Sequence, residues 1–110
     1  MPRPVVIRCR LIPEQFCVNI FGTLWCRKSF PLDKFMVNHE QIHTAQMREL
    51  LFMGFYLIYL LEWLLRLIQK RNWYKAYKAI SFEREAYDCM YRLNYLDTRR
   101  HYAQWRRTKQ

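Results

Sequence analysis

The hydrophobic rhythm of the chain changes along its length. Over residues 4–12 apolar positions alternate loosely and are β-branched at Val5, Val6 and Ile7, which predicts a strand ended by Pro13. A second apolar run from Phe16 to Phe21 breaks at Gly22-Thr23 and resumes over Leu24, Trp25 and Cys26. It predicts either two short strands or one strand with a bulge at Gly22. Pro31 and Asp33 signal a helix start, with Asp33 in the N-cap position. After Lys34 no proline follows and Gly54 is the one glycine, so the remainder reads as helical. The polar cluster Lys70-Arg71-Asn72 predicts a break near Gln69–Trp73. The expected chain is α+β and helix-dominated. Short N-terminal strands precede a helix that continues into an apolar helix, and a second long helix runs from about Tyr74 to Leu96. One domain over residues 1–98 and a basic tail over 99–110 are expected.

The run from Leu50 to Leu61 is apolar or aromatic at all 12 positions, and continuing to Ile68 adds Glu62 and Arg66. A spanning helix wants about 20 apolar residues, so the segment falls short of one. It is also apolar all round, which a small domain can hardly cover. Three readings stay open for residues 50–68: a core helix, a surface for a membrane or partner, and a tilted membrane helix. Arg48, Arg66, Lys70 and Arg71, with Tyr56, Tyr59 and Trp63, suit a membrane interface. Glu62 and Arg66 have i,i+4 spacing and read equally as an ion pair.

Composition narrows the field. The chain has 110 residues and 19 Lys+Arg against 9 Asp+Glu, for a formal net charge of +10. That length suits one domain with a modest core. Only 2 glycines occur, and they are isolated, which excludes a Gly-rich phosphate loop. Cys9, Cys17, Cys26 and Cys89 form no CxxC pair, so no zinc ribbon or thioredoxin-type site is written. Free thiols in a reducing compartment fit this spacing better than two disulfides. Arg3, Arg8 and Arg10 interrupt the first apolar residues, so no signal peptide is expected. A location in the cytoplasm or on the cytoplasmic face of a membrane is expected. The charge excess and the interleaved Trp73, Tyr74, Lys75, Tyr77 and Lys78 raise a nucleic-acid-binding module as one alternative. No named nucleic-acid motif accompanies them, so that partner is disfavoured.

The chemistry concentrates at His39-Glu40-Gln41-Ile42-His43, an HExxH pattern using two of the 3 histidines. Residues i and i+4 share a helical face, so both imidazoles can reach one ion, and zinc favours such nitrogens. Glu40 lies at the edge of that face, where it can act as general base without ligating the metal. Catalytic zinc usually takes a third protein ligand. On the second helix Ala79, Phe82, Ala86, Cys89, Leu93 and Leu96 form the apolar stripe. Glu83 borders that stripe, where an unpaired carboxylate would be costly. A metal would supply its countercharge, as would one of the cations. Glu85 shares a face with Lys78, Ser81, Asp88 and Arg92 and is expected to be solvated.

An HExxH helix followed by a helix carrying Glu-x-x-Ala resembles the gluzincin class of zinc metallopeptidases. The match is Glu83-Arg84-Glu85-Ala86, loosely covering residues 30–96. It is similar to minimal single-domain members, in which an N-terminal sheet precedes the two metal helices. The resemblance implies Zn2+ held by His39, His43 and Glu83, with Glu40 catalytic and Ala86 letting the helices approach. It implies a peptide or protein substrate paired along an edge strand, the analogous segment being about Thr23–Arg27. Many gluzincins place an acidic residue four after the ligand glutamate, as partner to a metal histidine. Tyr87 stands there instead, with Asp88 one later. A zinc-binding but inactive membrane-associated or scaffold protein is therefore the main alternative. Tyr87, Tyr91, Tyr95 and His101 are the available oxyanion donors, and spacing does not choose among them.

Overall fold

The computed structural model describes residues 4–14 and 16–106. Its element order is β1 (Val6–Arg8), β2 (Cys17–Ile20), β3 (Thr23–Cys26), then α1 (Lys34–Glu49), α2 (Met53–Lys70), α3 (Trp73–Ala79), α4 (Ser81–Cys89), α5 (Tyr95–Thr98) and α6 (Ala103–Arg106). This is the expected helix-dominated α+β class.

The interrupted second run resolves into two strands joined by a tight turn. Phe21 (φ 51°) and Gly22 (φ 91°) both take left-handed backbone, which matches the twist of a two-residue hairpin. The Asn19 Oδ1 accepts the Gly22 N–H at 2.9 Å, closing the turn. The strand order is β1-β3-β2, with β1 parallel and β2 antiparallel to β3. The expected edge strand, Thr23–Arg27, is therefore central. A parallel partner enters from residues 6–8, a pairing that no local pattern encodes. The outer strand beside the helices is β2.

Asp33 caps α1, its Oδ1 accepting the Met36 N–H at 2.8 Å. The expected continuation of α1 into the apolar helix is corrected. The chain bends by 109° between α1 and α2. Leu51 (φ 56°) and Phe52 (φ 62°) take left-handed backbone, which costs on the order of 1 kcal/mol or more per non-glycine residue. The Phe52 N–H to Met47 carbonyl bond, at 2.7 Å, satisfies a helix-end acceptor. Phe52 also packs on a core of Met47, Phe55, Ile80 and Phe82. Burying this aromatic cluster offsets the strain, which a straight helix would avoid only by losing the cluster.

The break near Gln69–Trp73 occurs as expected. Arg71 ends α2 in left-handed backbone (φ 53°), and Asn72 caps α3 through bonds to the Tyr74 and Lys75 N–H groups. The expected second long helix, however, divides at Ile80, which is extended (ψ 134°) and wholly buried. Glu62 explains the division. Its two oxygens accept the Ser81 N–H at 2.7 Å and the Ser81 hydroxyl at 2.8 Å, so α2 supplies the missing N-terminal cap of α4. Arg66 approaches Glu62 only to 4.0 Å. At the other end of α4, the Asn38 amide donates to the carbonyls of Met90 and Arg92 at 2.8 and 3.0 Å. The helix ends at Cys89, short of the expected Leu96.

Glu85 is also corrected: it is fully buried. It bonds Arg99 Nε at 2.6 Å and Tyr95 Oη at 2.6 Å, while Arg99 Nη1 reaches Glu49 at 3.0 Å. Helical periodicity assigned Glu85 to the solvent side because the residues covering that side come from 95–104. The basic segment thus begins with an inward-pointing arginine. Its last residues, 107–110, lie outside the described ones.

Candidate metal centre

Helices α1 and α4 pack face to face, with Ala86 wholly buried against Ile42. A small residue there lets the two backbones approach, and the polar groups on the facing surfaces meet. His39, His43 and Glu83 are all buried, and one potential ligand atom from each lies within 4.8 Å of the others. Glu83 Oε1 is 3.4 Å from His39 Nε2 and 3.0 Å from His43 Nε2. In a tetrahedron of metal–ligand bonds near 2.0–2.1 Å, donors sit about 3.3 Å apart. The Glu83–His39 and Glu83–His43 pairs stand near that spacing, and the three groups can hold a metal ion.

The surroundings orient these donors. His43 Nδ1 lies 2.8 Å from Gln46 Oε1. The Gln46 amide nitrogen donates to the Phe82 carbonyl at 3.0 Å and to Glu85 at 2.9 Å. That chain ties His43 to the Arg99 network. Tyr59 donates to Glu83 Oε2 at 2.7 Å, leaving Oε1 to face the histidines. His39 Nδ1 has no hydrogen-bond partner among the described residues, although it is buried. Tyr87 sets its ring edge-on to the His39 imidazole at 4.5 Å between centroids. Its hydroxyl goes to Tyr77 at 2.8 Å. His39 thus meets Tyr87 by ring packing.

The charges are strongly coupled. Burial alone would raise the Glu83 pKa, but His43 and bonds from His39, His43 and Tyr59 outweigh it, so the carboxyl is held well below its usual range. Burial opposes the charged form of His43, yet Glu83 dominates and lifts its pKa to about 9. His39 is lowered, chiefly by burial. Glu40 is buried beside them, and burial pushes its pKa up to about 7. No lysine or arginine forms an ion pair with Glu40 among the described residues. Its backbone carbonyl accepts the Asn19 amide at 2.9 Å, fastening α1 to β2.

These groups open onto a cavity of about 280 Å³. Cys17, Val18 and Asn19 of the outer strand form one wall, and Phe55, Tyr56 and Tyr59 of α2 form another. Tyr56 Oη donates to the Asn19 carbonyl at 2.9 Å and accepts the Phe21 N–H at 3.0 Å, closing one end of the strand edge. A second cavity of about 490 Å³ meets the first at Cys17, His39, Glu40 and Tyr77. Its other walls include Phe30, Trp73, Tyr74 and Tyr87. Burial and the neighbouring Glu40 and Cys26 push the Cys17 thiol up to about 12, so it is a neutral wall group rather than a nucleophile. A wider cleft of about 980 Å³ lies at Arg8, Arg10, Arg27 and Lys28, outside the histidine cluster.

All four site residues chosen from the sequence meet at one place. Of the four suggested oxyanion donors, only Tyr87 touches it. Tyr91 is exposed and packs on Phe35, Tyr95 serves Glu85, and His101 lies 3.0 Å from Glu49. Sequence reasoning missed Gln46, Tyr59 and Tyr77. Two signals were available: Gln46 follows His43 by three residues on the same face, and Tyr59 places a hydroxyl inside an apolar run. Compared with protein-family models, curated proteins and solved structures, the chain matches none of them.

Proposed function

We propose that the protein is a zinc-dependent metallopeptidase of gluzincin type, with His39, His43 and Glu83 as the metal ligands. The observation that carries this reading is the buried convergence of those three donors. Glu40 beside them and the outer strand along the cavity are consistent with it. Zinc bound there would act as a Lewis acid, polarising a carbonyl and lowering the pKa of a water. Glu40 would take the proton from that water and pass it to the leaving amine. A general base poised near neutral pH suits this role, and burial moves Glu40 in that direction. Tyr59 and Gln46 hold Glu83 and His43 in place. The edge of β2, rather than β3, receives an extended peptide by main-chain pairing. Tyr77, which lines both cavities, is the phenol proposed to stabilise an oxyanion. The second cavity carries no lysine or arginine on its walls and suits a bulky uncharged side chain.

Metal analysis and peptide hydrolysis test the reading together. Purified protein should carry about one zinc per chain, and His39→Ala and Glu83→Ala should lose it. Glu40→Gln should retain zinc and lose hydrolysis of a mixed peptide library. Failure to bind zinc would sink the proposal. Zinc binding with no hydrolysis in the wild type would leave the inactive scaffold in its place.

A further inference from the structure

The outer face of α2 is apolar. Leu57, Leu60, Leu61, Leu64, Leu65 and Ile68 are between 43 and 75% exposed. They recur at three- and four-residue spacing and so form one stripe along the helix. The opposite face holds Phe55, Tyr56 and Tyr59 against the metal cavity, and Glu62 against the start of α4. The aromatic residues of the helix and Glu62 thus face inward, and its leucines face out. A contiguous exposed patch of this kind marks an interaction surface.

The charges around the stripe choose the occupant. Lys70 and Arg71 are exposed at the end of the stripe, and Lys75 is exposed on α3 just beyond it. The one acid within α2, Glu62, is mostly covered and bonded to Ser81. The C-terminal end of the apolar face is thus positive, in a chain of net charge +10. A second copy would offer no acid on this face to answer those cations. No single helix among the described residues is long and apolar enough to cross a membrane. A helix with an apolar face and cations at its end instead lies in the plane of an anionic lipid surface.

We infer that α2 seats the protein flat on an anionic bilayer. The leucine stripe enters the acyl boundary, and the flanking cations meet lipid phosphates. The inner face of the same helix walls the metal cavity. That cavity then sits about one helix diameter, roughly 10 Å, from the lipid. Resting on the peptidase reading, this points to juxtamembrane segments of membrane proteins as the substrate class. The binding itself stands on the surface alone, so its failure and the failure of metal chemistry are separate results.

Co-sedimentation of the full chain with vesicles tests it. Phosphatidylcholine mixed with phosphatidylglycerol at about 3:1 should bind the protein, and phosphatidylcholine alone should bind it about tenfold or more weakly. Leu60→Glu with Leu64→Glu should abolish binding while leaving the helical circular dichroism intact, because both side chains are exposed. Lys70→Glu with Arg71→Glu keeps the leucine face and should remove the preference for anionic lipid. Three results would overturn the inference: no vesicle binding by the wild type, binding unaffected by the leucine substitutions, or a stable dimer in solution that those substitutions dissolve.

Discussion

Replacing Arg99 with methionine is the sharpest test of how the tertiary structure rearranges charge. Arg99 forms a two-bond pair with Glu85, from Nε at 2.6 Å and Nη2 at 3.1 Å. It also reaches both oxygens of Glu49 and the Gln104 side-chain Oε1. The Arg99, Glu49 and Glu85 side chains are 5, 7 and 0% exposed. Methionine keeps much of the packing volume but strands two buried carboxylates. Breaking one partner out of a buried pair costs about 3–5 kcal/mol. An independent bound comes from the cheapest escape, protonation of a stranded glutamate. From an ordinary value near 4.3, that costs about 4 kcal/mol at neutral pH and about 1 kcal/mol near pH 5. A domain of this length is stable by about 5–15 kcal/mol, so the variant should lose about a fifth or more of its stability at neutral pH. Urea unfolding followed by circular dichroism measures the difference. The gap between variant and wild type should narrow by about 3 kcal/mol on moving from pH 7 to pH 5. A loss under about 1 kcal/mol at neutral pH, or a gap unchanged by pH, would refute the reasoning.

Other consequences are as direct. Glu49 lies below the ordinary carboxyl range: burial pushes its pKa up, but bonds from Arg99, the Tyr102 N–H and His101 outweigh that. A depressed folded-state pKa contributes stability that is full above the unfolded value and is lost as pH falls through the folded one. Glu49→Gln should therefore flatten the stability profile below about pH 4.3, as read from urea midpoints across that range. Tyr59→Phe removes the donor at Glu83 Oε2 and should weaken metal binding by about 10–100-fold. Competition with a chromophoric chelator reads this directly, and unchanged affinity with an intact fold would exclude a positioning role. Asp33→Ala deletes the bond to the Met36 N–H and should cost about 1 kcal/mol, with Asp33→Asn recovering most of it in thermal unfolding.

The sequence by itself determined the parts that depend on local rules. Asp33 starts α1 because its carboxylate answers a free N–H three residues on. His39 and His43 share a face because a helix turns every 3.6 residues. Glu83 and Ala86 meet that face because both lie on the buried side of α4. Tertiary structure decided what depended on partners distant in the chain. Glu85 and Arg99 look solvated in their own segments, and each is buried because the other arrives with the opposite charge. The long helix divides at Ile80 because Glu62, 19 residues away, caps Ser81. The bend at Leu51 and Phe52 is strained locally and is held by an aromatic core assembled from α1, α2 and α4. The edge strand is β2 rather than β3 because residues 6–8 pair in parallel from the far side. Local sequence fixes the spacing of ligands on one helix, whereas burial of charge, caps borrowed from other helices and strand order emerge only when distant segments close on one another.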